Sequence, residues 1–328
     1  MLARRIYYIL KPYLPRSARL AMRRIVANKI RLKSDAIWPI NESTAKLPPH
    51  WPGWPDGKKF AVVLTHDVEG PEGVALCRDL AELEMSLGYR SSFNFIPEGS
   101  YRVTPELRTW LTDRGFEVGV HDLNHDGHLY SSHKGFLNKA QRINNYMKEW
   151  SASGFRGGFM LRNLDWIHNL DIGYDASTFD TDPFEPQPDG AGTIFPYWIA
   201  NPSKNGSYDP EHAGTTNTEP ISSIPRSGYC ELPYSLPQDS TLYIVLKETT
   251  NEIWRNKLDW VAAHGGMALV NVHPDYLPIQ GNRRKSSMTV RDHYADLLQY
   301  ITEQYGTTYW HALPREIAAF VHTHKSHA

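Results

Sequence analysis

The chain has 328 residues, of which 41% are hydrophobic and 22% are charged. This composition is typical of a folded domain and excludes a disordered chain or a collagen-like repeat. No apolar stretch approaches the ~20 residues that a membrane-spanning helix needs. Cys77 and Cys230 are too few for a disulfide framework and form no Cys-x-x-Cys zinc motif. At this length we expect one large domain, because barrel folds run to ~250 residues unbroken.

The net charge of −1 hides two regions of opposite sign. Residues 1–33 contain ten Lys or Arg and no Asp or Glu, so the rest of the chain has a net charge of −11. Pro12 and Pro15 interrupt this basic arm, which predicts a short helix, a bend and a second helix over about 17–32. Charged residues and prolines also interrupt every apolar run that could form a secretory signal, so we expect a cytoplasmic protein.

Two interpretations of the basic arm stay open. In the first, residues 1–33 lie on anionic lipid at the inner face of the membrane, where each basic residue contributes ~1 kcal/mol. In the second, the helices pack on the acidic body as ordinary surface helices. Nucleic-acid binding is not expected, because the rest of the chain is acidic and has no groove-reading motif.

A connector follows the arm. Residues 38–55 contain five prolines and three tryptophans, a composition that cannot continue a helix. We therefore predict two parts, an arm with its connector over 1–57 and a main domain over 58–328.

From residue 60 onward, short apolar runs alternate with helical spacing. The apolar runs predict strands at 60–65, 91–96, 116–120, 155–159, 172–176, 241–246, 267–272 and 307–311. The helical spacing predicts helices at 73–87, 104–114, 133–150, 249–264, 289–304 and 314–322. This alternation predicts an α/β fold with a parallel sheet, either a barrel or an open doubly wound sheet. Residues 178–240 break the pattern, and 201–228 are expected to form a lid or a partner-binding loop.

Polar side chains follow three of the predicted strands. Asp67 and Glu69 follow the first strand, His121 and His125 follow the third, and His273 follows the run at 267–272. The carboxyl ends of parallel strands meet at one edge, where ligand sites of α/β folds lie. Two histidines and a carboxylate form a three-ligand metal site with an open position for water, so the sequence predicts a catalytic metal centre.

The segments that carry these residues resemble a known family. THDVEG, GVHDLNHDGH, GFRGG and VNVHP follow one another in the order and at the separations of the motifs of the polysaccharide deacetylase family, the NodB-homology carbohydrate esterases. The resemblance covers residues 58–278. It implies a distorted (β/α) barrel of about seven parallel strands and metal-dependent removal of N- or O-acetyl groups from sugars.

The resemblance also implies a role for each motif residue. Asp67 corresponds to the catalytic base, Arg156 to the arginine that orients this base, and His273 to the general acid. The metal ligands correspond to Glu69, His121 and His125. The implied cofactor is one divalent ion, with Zn²⁺ as the first choice and Co²⁺, Ni²⁺ or Fe²⁺ as alternatives.

The sequence departs from the family pattern at the first and third motifs. His66 stands where the family has Phe, and Glu69 stands where it has Asp. Arg156 is followed by Gly157 and Gly158 rather than by the usual x-Pro, which changes the backbone beside the expected oxyanion site.

Four further residues are candidates for supporting roles. Asp180 or Asp182, in an Asp-x-Asp-Pro stretch, could tune His273. Asp126 could hold a histidine ring in place or form a turn. His128 is either an alternative ligand or a surface residue.

The expected function is removal of acetyl groups from a sugar or a lipid-linked glycan during polysaccharide or glycan-precursor synthesis. Two alternatives remain: a metal-dependent hydrolase of a small non-sugar amide, and a carbohydrate-binding protein without catalytic activity on the same fold.

Overall fold

The computed structural model describes residues 16–201, 227–280 and 288–324. Their strands are β1 Phe60–Val68, β2 Ser92–Phe95, β3 Glu117–His121, β4 Gly154–Arg156, β5 Tyr174–Asp175, β6 Tyr197–Ala200, β7 Gly228–Glu231, β8 Met267–Asn271 and β9 Tyr309–His311. Their α-helices are α1 Arg16–Arg31, α2 Pro71–Ser86, α3 Pro105–Thr112, α4 His133–Trp150, α5 Leu164–Ile167, α6 Glu252–Ala263, α7 Val290–Tyr305 and α8 Pro314–His324. A π-helix spans Ser240–Leu246, and short 3₁₀ turns occur at Glu42–Ala45, Pro55–Gly57, Gly158–Met160 and Pro274–Tyr276.

The strands form one curved sheet in the order β6-β7-β5-β4-β3-β2-β1-β8, and β9 pairs with the start of β1. Every pairing is parallel except β6 with β7. The register aligns Asp67 with Asn94 and His121 with Arg156. The polar residues that follow the strands therefore lie at one edge of the sheet, as the sequence predicts.

The chain after β7 completes the ring. Leu232 N donates to Asp175 O of β5 at 2.9 Å, and two residues further on Tyr234 N donates to Thr178 O. Ser235 N and Leu236 N then donate to Leu269 O of β8. This segment joins the two ends of the curved sheet, so the prediction of a distorted (β/α) barrel is confirmed.

Helix starts follow local rules. The Thr289 side chain accepts a hydrogen bond from Asp292 N, and the Asp292 side chain accepts one from Thr289 N, which is a complete capping box for α7. The side chain of Thr104 accepts from Leu107 N at the start of α3. These caps fix the helices that cover the outside of the barrel.

One predicted strand is wrong. Residues 241–246, an apolar run, form a π-helix over Ser240–Leu246 rather than a strand. A short buried apolar run has no periodicity that separates strand from helix. Strands β6 and β7 lie within 178–240, where the sequence showed no alternation. The expected lid at 201–228 falls almost wholly on residues 202–226, which lie outside the described residues.

The connector packs against the body. The Trp54 indole Nε1 donates to Gly265 O at 2.7 Å, and Trp51 lies edge-on to Trp54 at 4.8 Å.

Helix α1 begins and ends one residue before the predicted limits, whereas the predicted first helix of the arm lies outside the described residues. Among the described helices, none combines the length and apolar character needed to cross a membrane. The domain boundary at residue 57 stays a prediction.

His66, at the position where the family that the sequence resembles has Phe, forms a buried pair with Glu84. Its Nε2 lies 2.8 Å from Glu84 Oε1 of α2, and its Nδ1 lies 2.8 Å from Val272 O. Both side chains of the pair are completely buried, and Ser91 Oγ donates to Glu84 Oε2 at 2.6 Å. The pair ties β1 to α2 through polar contacts where a Phe would provide apolar packing.

We predict that Glu84→Ala lowers the free energy of unfolding by about 3–5 kcal/mol, because it leaves a buried histidine without its partner. Glu84→Gln keeps an oxygen that can accept the hydrogen bond from Ser91, so it should lower the free energy of unfolding clearly less. The measurement is urea unfolding of each variant. The control is Glu82→Ala, which removes an exposed carboxylate on the same helix. A loss for Glu84→Ala no larger than for Glu82→Ala would contradict this assignment.

Candidate active site

Asp67 lies at the centre of the site and is buried. Its Oδ1 accepts hydrogen bonds from Asn94 Nδ2 at 3.0 Å and Arg156 Nη1 at 3.2 Å, and its Oδ2 accepts one from Asn271 Nδ2 at 2.8 Å. Burial raises the pKa of Asp67, but Arg156 and the nearby histidines outweigh burial and hold it well below its ordinary value. The carboxylate is therefore ionised and fixed in orientation.

Arg156 of β4 is fully buried beneath Asp67. Its Nε donates to Ala176 O at 2.8 Å, and its Nη1 also contacts Thr65 Oγ1 at 3.0 Å and Asn271 Oδ1 at 2.6 Å. These contacts lock the guanidinium in one position, so the positive charge stays beside Asp67.

Glu69, His121 and His125 lie next to Asp67. One potential ligand atom from each lies within 4.8 Å of the other two. His121 Nδ1 lies 3.1 Å from Arg156 O, which assigns the ring proton to Nδ1 and leaves the lone pair on Nε2. The Nε2 atoms of both histidines are buried and find no hydrogen-bond partner among the described residues.

A buried nitrogen without a partner is costly, and a divalent ion would satisfy both histidines. Burial and the neighbouring His121 lower the pKa of His125 to about 4, which keeps this ring neutral as a metal ligand requires. Glu69 is held in place by Tyr276, whose hydroxyl donates to Glu69 Oε2 at 2.9 Å. The residues present fit one divalent metal ion.

The backbone after Arg156 explains the glycines of the third motif. A Cβ on Gly158 would lie 2.5 Å from Asp122 Oδ2 and 2.8 Å from His125 Cδ2, so no larger residue fits without displacing the histidine loop. Phe159 adopts a positive φ of 58° and its ring stacks on His125 at 4.3 Å. The glycine thus allows the chain to place an aromatic ring directly on a candidate ligand.

His273 lies at the end of β8 and is paired with Asp239. Its Nδ1 lies 2.6 Å from Asp239 Oδ1, and its backbone N donates to Asp239 Oδ2 at 2.8 Å. Burial lowers the pKa of His273, but Asp239 outweighs burial and raises it to about 10. At neutral pH the ring is an imidazolium, and its Nε2 lies 3.9 Å from Glu69 Oε1.

Comparisons with known proteins place this geometry on a known fold. No family model matches the sequence, and no curated protein matches it. Among solved structures, a Mycobacterium smegmatis protein provisionally assigned as a polysaccharide deacetylase aligns with a TM-score of 0.59 and 19% identity, over 85% of this chain and 96% of that chain. The chain has the fold of that polysaccharide deacetylase.

Two other solved structures align less closely. One is a Clostridium thermocellum family 4 acetyl xylan esterase in complex with a cobalt ion, at a TM-score of 0.43 and 13% identity, over 79% of this chain and 91% of that chain. The other is a Bacillus subtilis peptidoglycan deacetylase, at 0.40 and 14% identity, over 83% and 95%.

The proposed partners of His273 in the sequence analysis are wrong. Asp180 Oδ2 pairs instead with the buried Lys257 Nζ at 2.5 Å, and Asp182 Oδ2 accepts from Tyr234 OH at 2.8 Å. Burial raises the pKa of both aspartates to about 6. Asp239 holds His273, and the sequence analysis missed it because the run after it was read as a strand. The signal available was an Asp directly before an apolar run, which is a helix N-cap pattern.

Asp126 and His128 lie outside the cluster. Asp126 Oδ1 accepts from His128 N at 2.8 Å, and its side chain pairs with Lys139 at 3.3 Å. The His128 side chain is 74% exposed. Asp126 therefore forms a turn, and the group that orients a candidate ligand ring is the carbonyl of Arg156.

We predict that purified protein without a histidine tag binds about one divalent ion per chain, because the buried Nε2 atoms of His121 and His125 need a partner. The His121→Ala/His125→Ala variant is expected to lose it, whereas His128→Ala and Asp67→Asn keep it. Metal content by mass spectrometry checks this. Retention of metal in the double variant would contradict the assignment, and loss in Asp67→Asn would make Asp67 a ligand.

We also predict that Asp239→Asn lowers the pKa of His273 below its wild-type value of about 10. The neutral amide removes the largest cause that raises the pKa, while burial still lowers it and Glu69 and Asp67 still raise it. The ¹⁵N shifts of the His273 ring in metal-free protein, titrated with pH, measure the change. Metal-free protein is needed because a nearby cation would itself lower this pKa. Asp126→Asn, a surface control, should leave the titration unchanged.

Proposed function

We propose that the protein is a metal-dependent hydrolase that removes an acetyl group from a sugar in polysaccharide or glycan-precursor synthesis. The observation that carries the proposal is one site containing an ionised carboxylate, Asp67, and a protonated imidazole, His273, beside two histidine nitrogens that have no hydrogen-bond partner in the described part of the chain. An ionised base next to a protonated acid is the arrangement that amide or ester hydrolysis requires.

The first step needs a strong nucleophile and a polarised carbonyl. A divalent ion held by Glu69, His121 and His125 would polarise the acetyl carbonyl and lower the pKa of a water molecule. Asp67 is ionised and held by three hydrogen bonds, so it can accept the proton of the attacking water. Arg156 keeps the Asp67 carboxylate in that orientation.

The second step needs an acid, because an amine or alkoxide leaves poorly without a proton. His273 carries the proton on Nε2, and Asp239 binds the opposite ring nitrogen at 2.6 Å. After donating the proton, His273 takes up another from solvent, and the Asp239 carboxylate stabilises the imidazolium that forms.

The surroundings of the candidate metal site support a sugar as the substrate. Phe159 stacks on His125 while 39% of it is exposed, so an aromatic ring borders the candidate metal site. Aromatic rings of this kind offer an apolar face to a sugar ring. We propose an acetylated sugar as substrate, and a lipid-linked glycan as its more specific form. A cytoplasmic location and the absence of nucleic-acid binding stay predictions.

The two rival functions differ from this proposal in measurable ways. A small-amide hydrolase would use the same acid, base and metal, and no described residue favours it. In a binding protein without activity, the buried Asp239–His273 pair would be a structural contact only, as the His66–Glu84 pair is, whereas the proposed enzyme uses it as the acid.

We predict that metal-loaded protein releases acetate from an acetylated oligosaccharide and that Asp67→Asn reduces the rate by roughly 10²–10⁴-fold, the usual contribution of a general base. Asp126→Asn should keep the wild-type rate. The assay measures acetate with chito-oligosaccharides, acetylated xylan and a lipid-linked acetylated glycan as probes.

Hydrolysis of simple amides alone would favour the small-amide enzyme. Binding of an acetylated sugar by metal-loaded protein without any acetate release would favour the non-catalytic protein.

A further inference from the structure

Exposed apolar side chains concentrate on the N-terminal segment. Among the described residues, eight large hydrophobic side chains are exposed, and six of them lie between residues 22 and 47. They are Met22, Ile25, Val26, Leu32, Ile37 and Leu47. A cluster of this kind is unusual for a surface that faces only water.

The helix α1 has two distinct faces. Met22, Ile25, Val26 and Lys29 lie on one side of the helix by their spacing, and all four are exposed. The opposite side contains Ala27, which is buried against the body. The outward face is therefore apolar along most of its length and has a lysine near its end.

Two basic residues fix α1 to the body. Arg24 donates from Nε and Nη2 to Ile244 O, at 3.2 and 2.9 Å, and Arg31 Nη1 pairs with Glu248 Oε1 at 2.5 Å. Because these contacts anchor the inner side, the apolar face is already formed and needs no folding step before it can bind.

The charged residues on the exposed face itself are basic. Lys29 and Lys33 are exposed, and residues 1–33 contain no acidic residue. Aliphatic side chains flanked by Arg and Lys on a helix that lies flat on the protein are the features of an interfacial helix. A second copy fits poorly, because a twofold contact through this face would bring basic residues against basic residues.

We propose that the outer face of α1, formed by Met22, Ile25, Val26 and Lys29, together with Leu32 and Lys33 in the turn directly after it, is a docking surface for an anionic lipid membrane. The aliphatic residues enter the boundary between headgroups and acyl chains, and the basic residues contact the anionic headgroups. This inference does not depend on the proposed enzymatic function.

The docking surface is linked to the candidate active site through one short element. Arg24 binds the carbonyl of Ile244 in the π-helix, and this π-helix begins directly after Asp239, the partner of His273. A membrane bound at the outer face of α1 would thus be separated by this one helix from the element that supports the candidate general acid. An enzyme arranged in this way suits a substrate that is itself attached to lipid.

The test is sedimentation of the full chain with vesicles of phosphatidylcholine alone, or of an equal mixture of phosphatidylcholine and phosphatidylglycerol, at low and high salt. Wild-type protein is expected to bind the anionic vesicles and to bind less at high salt. Lys29→Glu/Lys33→Glu should weaken binding at least fivefold for each residue, the factor that corresponds to about 1 kcal/mol per basic residue. Ile25→Glu/Val26→Glu should abolish it.

Matched controls on α4 separate this surface from general effects. Leu137→Glu changes an exposed apolar residue and Lys134→Glu an exposed basic residue, both far along the chain from α1. Both variants should bind the anionic vesicles like the wild type. Thermal melting checks that all variants fold.

Absence of binding by folded wild-type protein would overturn the proposal, as would equal binding by Ile25→Glu/Val26→Glu. A dimer in light scattering that these substitutions dissociate, without vesicle binding, would assign the face to a second copy instead. Since no outcome depends on acetate release, failure here and failure of the proposed activity remain distinguishable.

Discussion

The guanidinium of Arg156 is fully buried at the point where β1, β4 and β8 come together. A buried cation is stable only where acceptors surround it, and here the acceptors are Thr65, Asp67, Asn271 and the carbonyl of Ala176. The backbone carbonyl of the same residue accepts from Asp122 N and lies 3.1 Å from His121 Nδ1. One residue therefore orients both the candidate base and a candidate metal ligand.

The candidate base and the candidate ligands differ in the hydrogen bonds that they already make. Asn94, Arg156 and Asn271 fill three of the four acceptor positions of the Asp67 carboxylate, which leaves one position on Oδ2 for a water molecule. The Nε2 atoms of His121 and His125 have no hydrogen-bond partner among the described residues. This difference supports a metal centre formed by the histidines with Glu69, and a carboxylate that stays beside the metal as a base.

Sequence patterns predicted the residues at strand ends because parallel strands bring those ends together whatever lies between them. Asp67, His121 and His273 follow apolar runs that the structure forms as β1, β3 and β8. Asp239 could not be found in this way, because its place depends on Ser240–Leu246 forming a π-helix. Asn271, which donates to Asp67 at 2.8 Å, is not predicted from the sequence, because an asparagine at a strand end can form many different contacts. The pairing of β6 with β7 joins segments separated by a long stretch without periodicity, and only tertiary contacts reveal it.

Gly157 and Gly158, which differ from the pattern of the family that the sequence resembles, lie where the backbone is closely packed against neighbouring atoms. Gly158 stands where a Cβ would overlap Asp122 and His125, and Gly157 stands where a Cβ would lie 2.2 Å from Leu161 O. A proline or a larger residue at either position would push the turn away from the histidine loop. The two glycines keep the turn close, and Phe159 then stacks on His125 at 4.3 Å. The two glycines thus account for the aromatic ring that lies beside the candidate metal site.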